Sequence, residues 1–267
     1  MKKVRNSGSK FLSIISAVLT LILTISIPSN AADNTSPVTY KEKIAYLKSI
    51  GTTDEAIEEY NPYQIDSHYN SLIGKDARFS GLESKIVDII DNNSITKGNI
   101  STSQLKLTVG TYDMLQNGKV NNVNVSIGYE WLKEPILVLT DALTFTWDNS
   151  LFYDQGFYAE SVCNVDGEVH PIEFISAPAT AQAGGLGWYS KLSLPHHGNT
   201  YKHYGGAELL LGVRKPFSAS ADLNSKMYLT YAHQLIGAGI SLGFPGSEGV
   251  TITGGSYDQQ AHSYTYH

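Results

Sequence analysis

Residues 194–204 read LPHHGNTYKHY, which places His196, His197 and His203 close together in a chain with 8 histidines. Imidazole nitrogens hold divalent metals, and zinc takes three or four such ligands at near-tetrahedral geometry. Adjacent residues on an extended chain point to opposite sides, so one of His196 and His197 would share a side with His203. A full ligand set would then need His170 or His233 from another strand, or Glu208, the nearest carboxylate. These three histidines are the candidate metal ligands. The competing reading is a polar turn made by Pro195, Gly198 and Asn199.

Aromatic residues give the second candidate chemistry. The chain has 17 tyrosines and 3 tryptophans. A tyrosine ring is rigid and carries a polar tip, which suits it to contact with sugars and peptides. Trp188 and Tyr189 lie in the bend GGLGWYS, and Tyr153 and Tyr158 in LFYDQGFYAE. These four are the candidate ligand-binding residues, with a glycan or an extracellular protein as the partner. The alternative is that the rings fill the core and its edges.

Catalytic signatures are missing. A glycosidase needs two facing carboxylates, and Glu130, Asp141, Asp148, Asp154 and Glu160 are the acids in the strand-rich region. Their spacing singles out no pair. No G-x-S-x-G, H-E-x-x-H, P-loop or dinucleotide-binding pattern occurs. No catalytic residue and no cofactor is assigned. Cys163 is the lone cysteine, so no internal disulfide can form, and it reads as a small buried hydrophobe.

The first residues set the expected compartment. MKKVRNSGSK carries Lys2, Lys3, Arg5 and Lys10 without an acid, and Phe11 to Ile27 is free of charge. Ser29 and Ala31 then provide small residues, the pattern of a secretory signal peptide cut after Ala31. The chain holds 19 basic and 25 acidic residues; removing four bases with the leader leaves 15 against 25. An acidic protein of this kind does not seek nucleic acid through electrostatics. No second long apolar run follows, so no transmembrane segment is expected in the mature chain.

The remainder divides by periodicity. From Thr39 to about residue 92 the pattern is helical. Thr39 and Glu42 form a capping box, Thr52 and Glu55 suggest another, and Pro62 occupies a first-turn position before Gly74. SGLESKIVDIIDNN reads as a further helix through Leu82, Ile86 and Ile89 or Ile90. Beyond residue 99 apolar residues alternate. Val123, Val125, Ile127, Tyr129 and Trp131 make one apolar strand face, and Met227, Leu229, Tyr231 and His233 another. His233 reads as a core histidine satisfied by a neighbour's backbone. The fold expected is mainly β, an antiparallel, jelly-roll-like β-sandwich of roughly eight to ten strands, with a small α-helical N-terminal segment after the signal peptide. The divisions are 1–31 signal peptide, 32–98 helical segment and 99–267 sandwich domain.

Together these features describe a secreted, extracellular bacterial protein that binds without catalysing. A secreted hydrolase or His-based metalloenzyme is one alternative. A membrane-active toxin or bacteriocin-like protein is another, suggested by GISLGFPGSEGVTITGGS. Its arms, roughly five to seven residues each, fall short of the about 9–11 that a membrane strand needs. N-terminal sequencing of the exported protein is expected to begin at Ala32; a sequence beginning at Met1 would mean that the leader is retained as an anchor.

Overall fold

A computed structural model describes residues 37–91, 101–134, 140–165, 168–175, 180–191, 201–218, 223–236, 241–243, 251–253 and 256–267, for some of which, including Tyr158 and Cys163, only the backbone is described. Thr39–His267 form one compact unit. The unit is mainly β, with two antiparallel sheets and few helices. The signal-peptide reading and the side-chain role of Cys163 lie outside the described residues.

Three short helices begin the chain, each started by a side-chain cap. Helix α1 is Tyr40–Ser49, with the Thr39–Glu42 capping box formed in both directions. Gly51 follows it at φ 98°, a left-handed conformation that glycine adopts without penalty. Helix α2 is Asp54–Glu59. Its N-cap is Thr53 rather than Thr52, because the Thr52 hydroxyl is buried against Tyr112 Oη at 2.7 Å. Helix α3 is Pro62–Leu72, with Asn61 as N-cap and Gln64 completing a second capping box.

The expected fourth helix is a strand. Residues Ala77–Asp91 form β1 and pair antiparallel with β2, Ser101–Gln116. The stretch satisfies both periods, but its β-branched residues favour the extended form and the ladder to β2 decides the outcome. The inward row becomes Val87 and Ile89, both buried, while Ile86, central to the helical reading, is 59% exposed.

The other long strands are β3 (Lys119–Lys133), β4 (Thr140–Thr146), β5 (Phe152–Val165), β6 (Glu168–Ile175), β8 (Gly185–Lys191), β9 (Tyr201–Ser218), β10 (Ser225–Ile236) and β13 (Ser256–Tyr266). The short strands are β7 (Thr180–Gln182), β11 (Ser241–Gly243) and β12 (Thr251–Thr253). One sheet runs β1-β2-β3-β9-β5-β6 and the other β13-β10-β4-β8-β7, with β11-β12 a separate hairpin. The described residues thus hold 13 strands, more than the alternation suggests, because several are only three residues long.

One apolar cluster joins the two sheets. Leu107, Val109, Val125, Ile127, Leu209 and Leu211 from the first meet Leu143, Phe145, Trp188, Met227, Leu229 and Tyr231 from the second. The row Val123, Val125, Ile127, Tyr129 and Trp131 lies wholly within it, as its alternation predicts. Tyr264 and Tyr266 of β13 also bond to Thr111 and Asp113 of β2, each at 2.6 Å. These contacts tie the second sheet to the first near its β1 side.

The opposite side of β3 departs from expectation. Asn124, Ser126 and Gly128 alternate with the apolar row and a half-buried strand would turn them to water, yet the strand is buried on both faces along this stretch. Helix α3 covers the polar row. Asn61 fastens it there, its side-chain amide donating to Tyr129 O on β3 and Gly205 O on β9, both at 3.1 Å. Replacing Asn61 with Ala removes the cap and leaves two buried carbonyls short of a donor. We expect it to lower stability by about 2–4 kcal/mol in a urea melt. A loss below about 0.5 kcal/mol would show that the anchor is redundant.

Candidate functional site

The helix α3 sequence explains why it lies on a polar strand face. Gln64, Ser67, His68 and Ser71 fall at i, i+3, i+4 and i+7, one stripe of a helix. The strand face beneath offers Asn124 and Ser126 on β3 and Glu208 on β9, with Ser126 and Glu208 paired in the register. Glycine makes the close approach possible. A Cβ at Gly128 would overlap the Gln64 side-chain amide, and one at Gly110 would overlap the Tyr60 hydroxyl.

Four side chains form a continuous chain of hydrogen bonds. Ser67 donates to one carboxylate oxygen of Glu208 and the Asn124 amide nitrogen donates to the other. Asn124 Oδ1 meets His68 Nδ1 at 3.0 Å. A carboxylate only accepts, so Asn124 turns its nitrogen to Glu208 and its oxygen to His68. Nδ1 of His68 therefore carries the proton, and Nε2 is left as a buried acceptor with no hydrogen-bond partner. Rings enclose the imidazole, with Tyr112 at 4.5 Å and Tyr60 at 5.0 Å between centroids.

Burial sets the electrostatics. It lowers the His68 pKa, and the Glu208 charge and the Asn124 hydrogen bond oppose it only in part. Burial also raises Tyr112 to about 12 and Tyr60 well above its ordinary value, with the Glu208 charge adding to both. The imidazole is thus held neutral beside a carboxylate.

Beside this network a groove of about 580 Å³ opens between α3 and the β9–β5 face. Tyr63, Asp66, Ser67, Asn70 and Ser71 of the helix line one wall, with Lys75 just beyond it. Asn124, Glu208 and Leu210 form the floor, and Gly156 and Phe157 the far side. The volume falls in the range of small-molecule sites, roughly 300–1,000 Å³. Asp66 is paired with Lys43 at 2.8 Å, while Glu208 is 6% exposed.

The residues nominated by sequence are scattered. Trp188 is 1% exposed inside the apolar cluster, its ring 6.0 Å from that of Phe157. Tyr189 is half-buried on β8 and accepts from the Leu242 N–H at 3.2 Å. Tyr153 is 38% exposed, with Arg214 5.7 Å from its ring centre, and lines a separate hollow of about 300 Å³ with Trp147. Tyr158 is opposite Glu208 in the β5–β9 register, which places its backbone beside the groove. The histidines do not form one group either. His203 is buried, its backbone N–H and ring Nδ1 both bonded to Glu134 at 2.8 Å. His196 and His197 lie outside the described residues. His233 bonds to Asp141, a buried carboxylate that also accepts from Tyr231 and the Gln234 N–H, so its partner is a side chain. Among the described residues no three His, Cys, Asp or Glu are grouped to hold a metal ion.

Of the candidate acids, Glu130 pairs with Lys106 at 3.1 Å, and Asp148 and Asp154 accept from backbone N–H groups two residues on. None of these, nor Asp141, lines the groove. The groove acids are Asp66 and Glu208. The signal that could have found them was the polar i, i+3, i+4, i+7 stripe of α3, which has no reason to exist on a helix packed over grease. No family model matches the chain, and no curated protein is significantly similar to it.

Because burial depresses the His68 pKa, the unfolded state takes up the proton first as pH falls below about 6.5. Stability is fully present above that value and falls as pH drops towards the lower folded pKa. His68→Asn is expected to flatten the fall between about pH 7.5 and about pH 5.5 in denaturant midpoints, leaving the part due to His262, whose pKa burial also lowers. Unchanged slopes would mean that His68 charges without cost.

Proposed function

We propose that this is a non-enzymatic extracellular binding module of the β-sandwich type, jelly-roll-like in arrangement, and that the groove beside α3 takes a small glycan. One observation carries the reading. A preformed groove of about 580 Å³ combines hydroxyl, amide and carboxylate groups with the apolar surfaces of Tyr63 and Leu210. A sugar presents the same alternation of hydroxyl groups and apolar C–H faces, and convergent polar groups on an apolar wall fix its orientation. Secretion is the proposed setting, resting on the basic and apolar leader pattern of residues 1–31. No helix among the described residues is long and apolar enough to cross a membrane.

A hydrolase is the second reading, favoured by the two carboxylates Asp66 and Glu208 on one groove. The same experiment separates it from binding. Calorimetric titration with a panel of neutral mono- and oligosaccharides is expected to show saturable binding with the sugar recovered intact; cleaved sugar would favour the hydrolase. Asn70 is exposed at the groove wall, so Asn70→Trp fills the space without disturbing packing. It is expected to weaken binding by roughly tenfold or more with stability changed by less than about 0.5 kcal/mol. Undiminished affinity in that variant would move the site elsewhere.

A further inference from the structure

We propose that the groove selects a sugar carrying a primary ammonium group, with Glu208 as its counter-ion. This rests on the glycan-binding reading of the same groove and adds the ligand's charge. Glu208 is 6% exposed, and its two oxygens accept from two neutral donors, Ser67 and Asn124. A carboxylate has about four acceptor positions, so about half its capacity remains, and the group lines the groove.

Among the described residues no lysine, arginine or histidine lies within ion-pair distance of Glu208. Lys75 is exposed at the groove, and Lys43 is engaged by Asp66. His68 turns its Nδ1 proton to Asn124. The contrast with the other buried acids is direct. Asp113 has Arg78 at 2.7 Å, and Asp141 is enclosed by His233, Tyr231 and a backbone N–H. A desolvated carboxylate without an opposite charge is costly to keep. Its position on an open groove assigns the missing charge to a ligand. A primary ammonium offers three donors, fits the unused acceptor positions, and forms hydrogen bonds about twice as strong as neutral ones. The remaining lining, Ser71, Asn70 and Tyr63, suits the hydroxyls and ring face of the sugar that bears it.

The test titrates glucosamine, N-acetylglucosamine, glucose and ethanolamine into the full mature protein and into Glu208→Gln. Wild type is expected to bind glucosamine roughly tenfold or more tightly than N-acetylglucosamine or glucose, and ethanolamine weakly. The variant is expected to bind glucosamine and glucose alike. It should also melt above wild type without ligand, since a buried uncompensated charge has been removed. A structural anchor would instead melt lower in the variant and leave wild-type selectivity absent. Equal wild-type affinity for the three sugars overturns the ammonium proposal and keeps the binding module. If no sugar binds while ethanolamine does, the groove is an amine site and the glycan reading falls. No binding of any probe overturns both. The wild-type comparison decides the matter even if the variant fails to fold.

Discussion

The contact between helix α3 and the outer row of β3 and β9 is polar and buried at once, and much of the molecule follows from that combination. Apolar surfaces slide over one another at little cost, whereas a buried donor without its acceptor costs about 1–3 kcal/mol. Asn61, Gln64, Ser67 and His68 therefore fix the helix at one height and one rotation over the sheet. Gly128 and Gly110 allow the approach. Groove, carboxylate and imidazole all take their positions from this one docking geometry.

Two enclosed carboxylates, Asp141 and Glu208, show how one chemical group is put to different uses. Asp141 lies between the sheets with Tyr231, His233 and the Gln234 N–H around it, and Trp131 donates to the same tyrosine at 3.3 Å. Its hydrogen-bonding capacity is turned inward, and it specifies how the sheets meet. Glu208 lies on the outer face with two donors on one side and open space on the other. The first arrangement is closed, whereas the second leaves acceptor positions of Glu208 beside the groove.

Much of which strand face turns inward was legible, because the inward rows alternate strictly. Val123 to Trp131 and Met227 to His233 fell on the faces their spacing indicates. Residues Ala77–Asp91 misled because Leu82, Ile86 and Ile89 satisfy a helical period while the paired edge of β2, invisible in local sequence, sets the result. The candidate site was far less legible. Its parts come from residues 63–75, 124, 156–157 and 208–210, and no local motif joins them. Aromatic residues drew attention by their number, yet Trp188 serves the core. The informative signal was a polar stripe on a helix combined with Asn and Ser on a strand, two polar faces that read separately as solvent-facing surfaces.

The placement of β9 has a consequence for the order of assembly. This strand lies between β3 and β5 although it follows both in the chain. The first sheet therefore cannot close until residues 201–218 have arrived, and Asn61 reaches Gly205 across 144 positions. Such distant pairings carry a loop-closure cost before they yield any contact, which slows folding relative to helical proteins of similar size. The N-terminal helices must wait, without a finished surface to rest on, until nearly the whole polypeptide is present. The groove therefore cannot form before residues 201–218 have joined the first sheet.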